Sequence, residues 1–139
     1  MIKNFEDVTA KLTKMEKAKL LPLVKEILET RRGEEKAVTN KKIRDYLELA
    51  YSMKYDAPTI RKIISYIRCN NMIPCLVATS KGYFVTDSKE EMEKYIESLQ
   101  NRIESIRVVI LSMKKQFKEY YRFTCSMTFL VVDSSRPVL

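Results

Sequence analysis

Residues 56–67, Asp-Ala-Pro-Thr-Ile-Arg-Lys-Ile-Ile-Ser-Tyr-Ile, carry the clearest structural signal in this 139-residue chain. Asp56 is a suitable N-cap, and Pro58 falls in the first turn, where its missing N–H costs nothing. The isoleucines recur at three- and four-residue spacing, which places them on one helix face. We therefore predict a helix over about residues 57–70. Its buried face would hold Ile60, Ile63, Ile64 and Ile67, and its opposite face and borders would hold Arg61, Lys62, Ser65, Tyr66 and Cys69.

Two further helices are predicted on the N-terminal side of this one. The first, about residues 13–32, opens with the capping-box pair Thr13 and Glu16, and Pro22 inside it either kinks the helix or marks a later start. The second, about residues 40–50, begins at Thr39 or Asn40 and buries Ile43, Tyr46 or Leu47, and Ala50. Between the two helices, residues 37–39 could add a brief edge strand.

A β-hairpin is predicted over residues 73–86. Residues 73–78 are rich in β-formers, Ser80-Lys81-Gly82 is typical of a turn, and residues 83–85 would be the second strand. The first 86 residues would then form one mixed domain that is mainly α, within an α+β fold.

A long helix is predicted over residues 87–122. Its apolar residues follow alternating gaps of four and three over about four heptads, which is typical of a coiled coil. This seam contains Met92, Ile96, Leu99, Ile103, Ile106, Ile110, Met113, Phe117 and Tyr120. It could fold over its own domain, but about 50 Å of helix exceeds what a small domain covers. We therefore expect an oligomerisation helix, with a homodimer as the favoured state. Whether the two helices run parallel or antiparallel is left open.

The tail, residues 123–139, contains a short apolar run at residues 127–132 that is too short to span a membrane. It could be a strand or a segment that becomes ordered in the oligomer. The sequence leaves both alternatives open.

Positive charge is concentrated in one part of the chain. Residues 36–86 hold nine Lys or Arg against three acids, or +6 of the total +8, whereas residues 1–35 and 87–122 each hold eight against seven. A cationic face on one module indicates a polyanionic partner, although a solvated helix surface could also produce it.

Several functions are disfavoured by what the sequence lacks. Zero His removes the commonest catalytic base, and two glycines cannot build a phosphate-binding loop. Three cysteines without paired spacing predict no metal site and fit a reducing compartment. Carboxylate or lysine chemistry stays formally possible, but no spacing nominates it. We expect a non-catalytic, cytoplasmic protein without cofactor, membrane contact or any inferred small-molecule ligand.

The order of elements resembles the winged helix-turn-helix superfamily. Residues 58–64 followed by Ile73-Pro74-Cys75 and Lys81-Gly82-Tyr83-Phe84-Val85 are similar to small winged-helix proteins of phages and prophages, over about residues 13–105. The resemblance implies that the 57–70 helix enters the DNA major groove and that the hairpin, as a wing, touches the backbone. The hairpin of this chain departs from the family pattern because its tip carries a single cation, Lys81. This implies that the wing contributes little to DNA affinity.

The DNA contacts implied by the resemblance come from the helices and the hairpin tip. Arg61 and Lys62 would face base edges or phosphates. Tyr66 and Tyr83 could touch sugar or phosphate, or could simply pack. The full set is Thr59, Arg61, Lys62, Ser65, Tyr66, Lys41, Lys42, Arg44 and Lys81.

The sequence therefore favours an oligomeric double-stranded DNA-binding protein that acts as a transcription regulator or replication accessory factor of phage or mobile-element type. The alternative is a protein–protein adaptor, in which the winged helix is a docking module and the long helix is a scaffold.

Overall fold

The computed structural model of the protein describes residues 11–128, and for residues 123–128 it describes the helical backbone alone. The chain is mainly helical, with one two-stranded antiparallel hairpin between the shorter helices and a long C-terminal helix, as predicted. The elements are α1 (Leu21–Glu29), α2 (Asn40–Tyr51), α3 (Ala57–Cys69), β1 (Leu76–Thr79), β2 (Gly82–Val85) and α4 (Lys89–Thr128).

The predicted first helix is interrupted close to Pro22. The capping box forms: the Thr13 N–H donates to Glu16 Oε2 at 2.9 Å, and the Glu16 N–H donates to Thr13 Oγ1 at 3.2 Å. A π-helical turn at Glu16–Leu20 then precedes α1, in which Pro22 occupies the first turn. Because proline cannot donate a backbone hydrogen bond, a local change of helical pitch next to it is expected.

Side-chain caps fix the starts of α2 and α3. The Lys42 N–H donates to Thr39 Oγ1 at 3.2 Å, so Thr39 is the cap of α2, and the Thr59 N–H donates to Asp56 Oδ1 at 2.9 Å. Both helices are held by their apolar faces. Residues Ile43 and Leu47 of α2 and Ile60, Ile63, Ile64 and Ile67 of α3 are buried, as predicted.

Of the alternatives Tyr46 and Leu47, Leu47 is the buried one, whereas Ala50, which was also expected in the core of α2, is exposed. Leu47 lies one turn after Ile43 on the buried face of α2, and Tyr46 lies on the exposed side of it.

The hairpin is shorter than residues 73–86 and pairs β1 with β2 from Leu76–Val85 to Thr79–Gly82. The predicted edge strand is reduced to isolated bridges, Val38 to Tyr83 and Arg32 to Val85. Gly82 has a φ of +123°, and a Cβ there would lie 2.5 Å from the Val38 carbonyl oxygen. Glycine is therefore required at this turn, both for its backbone conformation and for the close approach of Val38.

The helices and hairpin share one apolar core. Leu20, Leu21, Val24 and Leu28 contribute the N-terminal part, and Val38, Ile73, Leu76 and Val85 close the side next to the hairpin. The chain divides into two compact units between Tyr95 and Ile96. This division lies later than the predicted boundary at 86/87 because the buried Tyr95 still belongs to the first unit.

Helix α4 begins after Ser88, whose hydroxyl accepts from the Glu91 N–H at 3.3 Å. It continues past the predicted end at residue 122 through Thr128, and the rest of the predicted tail lies outside the described residues. Within the described range, no helix is both long and apolar enough to cross a bilayer.

Candidate nucleic-acid interface

Asn40 connects three elements of the basic module. Its Nδ2 donates to the Ala57 carbonyl oxygen at the start of α3 at 3.1 Å, and its Oδ1 accepts from Arg44 Nε at 2.8 Å. Tyr83 on β2 lies close enough for Asn40 to act on the pKa of its hydroxyl. The first turns of α2 and α3 and the second strand are therefore held in a fixed arrangement. The sequence pattern indicates only a possible helix cap at Asn40 and gives no signal of these contacts.

Tyr83 is a half-buried phenol beside this junction. Burial raises its pKa above the ordinary value, and this effect exceeds the opposing effects of the Asn40 hydrogen bond and the charges of Arg61 and Arg68. The hydroxyl therefore stays neutral at physiological pH. The Tyr83 ring packs against the apolar core, which is one of the two alternatives for Tyr83, and its hydroxyl lies within the electrostatic influence of Arg61.

The outward side chains of α3 fall into two rows at i, i+4 and i+7 spacing. One row is Arg61, Ser65 and Arg68, and the other is Lys62, Tyr66 and Cys69. From Ala57 to Arg68 every side chain of α3 is buried or half-buried. The predicted recognition helix is thus less open than the sequence pattern indicated.

The prediction that Lys62 is available to DNA does not agree with the structure. Lys62 Nζ lies 2.9 Å from Glu16 Oε1, and the two side chains are only 13% and 15% exposed. Burial raises the pKa of Glu16, but the Lys62 and Thr13 hydrogen bonds and the positive charge of Lys62 outweigh it, so the pKa is lowered. Lys62 is therefore engaged in this ion pair and leaves the set of candidate contacts.

Tyr66, in the same row, is also covered by the N-terminal segment. Lys17 Nζ lies 5.6 Å from the centre of the Tyr66 ring, within cation–π range, and the ring packs against the core. Of the two interpretations of Tyr66, packing is the one that these contacts support.

Arg68, which sequence analysis did not select, anchors the other row. Its guanidinium lies 5.4 Å from the centre of the Tyr95 ring and donates to the Tyr95 hydroxyl. No pattern in the sequence indicated this pair, because Tyr95 is not one of the seam residues of α4. Arg68 thus ties α3 to the first turns of α4 within the first unit.

Thr59 and Arg61 lie at the N-terminal end of α3. The hydroxyl and N–H groups of Thr59 bond Asp56 and lower the pKa of that carboxyl, an effect that Arg61 reinforces. Thr59 is therefore engaged in capping, whereas Arg61 and Ser65 remain half-exposed.

Helix α2 presents the accessible cations. Lys41 and Lys42 are exposed and form no ion pair within residues 11–122. Arg44 is half-buried and is oriented by Asn40. Because Asn40 bonds Ala57, Arg44 lies on the face of α2 next to the start of α3, whereas Lys42 lies on the other side of α2, toward α1.

Lys81, at the hairpin tip, is exposed but paired. Its Nζ lies 3.4 Å from Glu34 Oε1, with both side chains largely in solvent. An exposed pair of this kind is weak, so Lys81 can exchange partners at little cost.

The seam residues of α4 differ from the core residues in their exposure. Ile103, Ile106, Ile110, Met113 and Phe117 are each 46–66% exposed, and Ile96 is 44% exposed. Met92 and Leu99 are half-buried. Val108, Val109 and Leu111 are exposed as well and widen the apolar surface.

Among the described side chains no group of three or more metal-ligating residues occurs. Cys69 and Cys75 are free and exposed.

Comparison of the chain with protein-family models, with curated proteins and with solved structures found no match in any of the three. The geometry of the described residues is therefore what supports a functional proposal.

Proposed function

We propose that this chain is a non-catalytic double-stranded DNA-binding protein built on the winged-helix plan. In this arrangement α2 and α3 are the helix-turn-helix pair, and the β1–β2 hairpin is the wing. The junction at Asn40, which joins α2, α3 and β2, supports this arrangement. The supporting charge is the +6 of residues 36–86.

The observation that carries the proposal is the pair of exposed, unpaired cations at the start of α2. Lys41 and Lys42 are exposed in the first turn of α2 and have no acidic partner in the described part of the chain. Such cations suit phosphate contacts, which supply most of the affinity of a DNA-binding protein. Arg61 and Ser65 are the remaining candidates for base edges, and Arg44 for a nearby phosphate.

We further propose that two copies associate through α4. The exposed apolar seam from Ile96 to Phe117 continues without a break in its spacing. A large exposed apolar surface marks an interaction site, and a heptad seam is complementary to a second copy of itself. A two-fold dimer would place two α3 helices at half-sites about 10 base pairs apart. Such a protein would act as a cytoplasmic transcription regulator or replication accessory factor of phage type.

The test is duplex binding measured by fluorescence anisotropy across a series of salt concentrations. The variant K41Q/K42Q removes two proposed phosphate contacts and should reduce the slope of log affinity against log salt by about 2. The matched control K114Q/K115Q removes two adjacent lysines from α4 and should leave the slope unchanged. Equal slopes for all three proteins would overturn the proposed interface.

A protein–protein adaptor is the second candidate. One observation in its favour is that the side chains of α3 from Ala57 to Arg68 are at most half-exposed. The other is the exposed apolar surface of α4. An adaptor would bind duplex DNA weakly and without a salt dependence set by Lys41 and Lys42. The same salt series therefore discriminates between the two functions.

A further inference from the structure

A cleft of about 310 Å³ lies between α1 and α2, and no function proposed above uses it. One wall comes from α1 and the residues after it, and the other comes from the segment before α2 and from α2 itself. Its apolar lining includes Leu23, Ile27 and Val38, and its aromatic lining is Tyr46 and Tyr51. A volume of this size lies at the lower end of the range for small-molecule sites.

Arg31 lines this cleft, and its side chain contains a donor without a partner. Its Nε is buried and has no hydrogen-bond partner in the described part of the chain. The backbone of the residue is fixed, because its N–H donates to the Leu28 carbonyl at 3.0 Å and its carbonyl accepts from the Val85 N–H at 2.7 Å. A buried donor without a partner is unfavourable, and an acceptor placed there would relieve it.

The charges around the cleft favour an acceptor with a single negative charge. Arg31 and Lys42 contribute two positive charges and Glu26 contributes one negative charge, which leaves +1. A guanidinium binds a carboxylate through two parallel N–H bonds, a geometry that fits a planar monoanion. A doubly charged phosphate would exceed the available positive charge and would lie close to Glu26.

The aromatic wall determines what the rest of the ligand should be. The rings of Tyr46 and Tyr51 are 6.1 Å apart and nearly perpendicular. The electrostatic influence of Tyr46, burial, a hydrogen bond with Tyr46 and the charge of Glu26 raise the pKa of Tyr51. The wall therefore consists of two aromatic rings, whose edges and faces suit an aromatic or apolar body.

We propose that this cleft binds a small aromatic monocarboxylate, with its carboxylate paired to the guanidinium of Arg31 and its ring against Tyr46 and the apolar side chains of Leu23, Ile27 and Val38. The site does not depend on DNA binding, since its test measures ligand occupancy directly.

The test is a titration of the full chain with phenylacetate, followed through the methyl NMR signals of Leu23, Ile27 and Val38. The uncharged analogue phenylacetamide, at matched ionic strength, is the ligand control. We expect saturable shifts of these methyl signals with a dissociation constant on the order of 1 mM, as suits so small a ligand. The amide should bind at least about tenfold more weakly, because it lacks the charged hydrogen bonds.

The variant R31Q should weaken phenylacetate binding by about tenfold, and the control R32Q, whose exposed guanidinium pairs with Asp87 at 3.3 Å outside the cleft, should not. Equal binding of acid and amide, the absence of saturable shifts, or shifts confined to other methyl groups would overturn the proposal. If R31Q does not fold, the comparison of acid with amide on the unmodified chain decides the question alone.

Discussion

The carboxylate of Glu16 holds the ammonium group of Lys62 at 2.9 Å, in a contact that is mostly removed from solvent. It joins the N-terminal capping box to the outward face of α3, over 46 residues of sequence. This ion pair occupies Lys62, so the row of α3 that contains Lys62 is not available to a ligand. The row that contains Arg61 is the part of α3 that can contact one. The pair consequently bears on both stability and binding.

The variant Glu16→Gln should destabilise the protein by about 1–3 kcal/mol, because it leaves the Lys62 ammonium partly buried without a counter-charge. Glutamine can still complete the capping box with Thr13, so the loss isolates the ion pair. The measurement is urea unfolding. The control Glu29→Gln removes the partner of Lys25 in an exposed pair at 3.0 Å and should cost no more than about 0.5 kcal/mol. Equal losses of unfolding free energy for the two variants would contradict the assignment of the stability to the Glu16–Lys62 pair.

Stability should fall in acid because the pKa of Glu16 is lowered in the folded state. The unfolded chain takes up this proton near the ordinary value of 4.5, whereas the folded chain takes it up at lower pH. The contribution is therefore complete above about pH 4.5 and is lost as pH falls through the folded-state pKa. Asp56, whose pKa the Thr59 hydrogen bonds lower, acts in the same direction.

When urea unfolding is measured across this pH range, the free energy of unfolding should fall less steeply with decreasing pH for Glu16→Gln than for the unmodified chain. The double variant with Asp56→Asn should be shallower still, since both protonation events are removed. If all three proteins lose the same stability as pH falls, other carboxylates dominate the loss of stability in acid.

Local patterns were sufficient to predict most of the fold. The isoleucine spacing of α3, the caps at Asp56 and Thr13 and the Lys81-Gly82 turn each specify structure within a few residues. The ion pair of Lys62 could not be predicted in this way, because its partner Glu16 belongs to a different helix. The same limit applies to Arg68 with Tyr95 and to the contacts of Asn40. Sequence periodicity shows which side of a helix faces outward, but not which distant segment covers that side.

Gly82→Ala should be among the most damaging small substitutions in the chain. The new Cβ would lie 2.5 Å from the backbone oxygen of Val38, and the φ of +123° is itself unfavourable for alanine. We expect a loss of about 2–4 kcal/mol in thermal or urea unfolding. Gly33→Ala is the matched control, since its φ is also positive at +89° but its nearest neighbour is the flexible Glu35 side chain at 3.0 Å. A loss at residue 33 as large as at residue 82 would argue against the close approach as the cause.

Under the proposed function, Arg61→Ala and Lys81→Ala should have different effects on DNA binding. Arg61 lies in the open row of α3, so its loss should cost about 1–3 kcal/mol and relax the sequence preference. Lys81 is an exposed cation on the hairpin, so its loss should weaken binding to all duplexes slightly and reduce the salt slope by about 1. Both are measured by selection from a random duplex pool followed by titration. An unchanged selected sequence with Arg61→Ala would remove α3 from base recognition.

The proposed dimer depends on the apolar seam of α4, in which Ile103 occupies an a position and is 66% exposed in the single chain. Ile103→Asp would place a carboxylate at the centre of the seam, where a second copy would have to bury it beside another carboxylate. Sedimentation equilibrium should therefore change from dimer to monomer. The control Asn101→Asp adds the same charge at the heptad position farthest from the seam and should leave the mass unchanged. A variant Ile103→Asp that retains the mass of the unmodified protein would exclude this helix as the oligomer interface, since no paired seam accommodates two opposed carboxylates without loss.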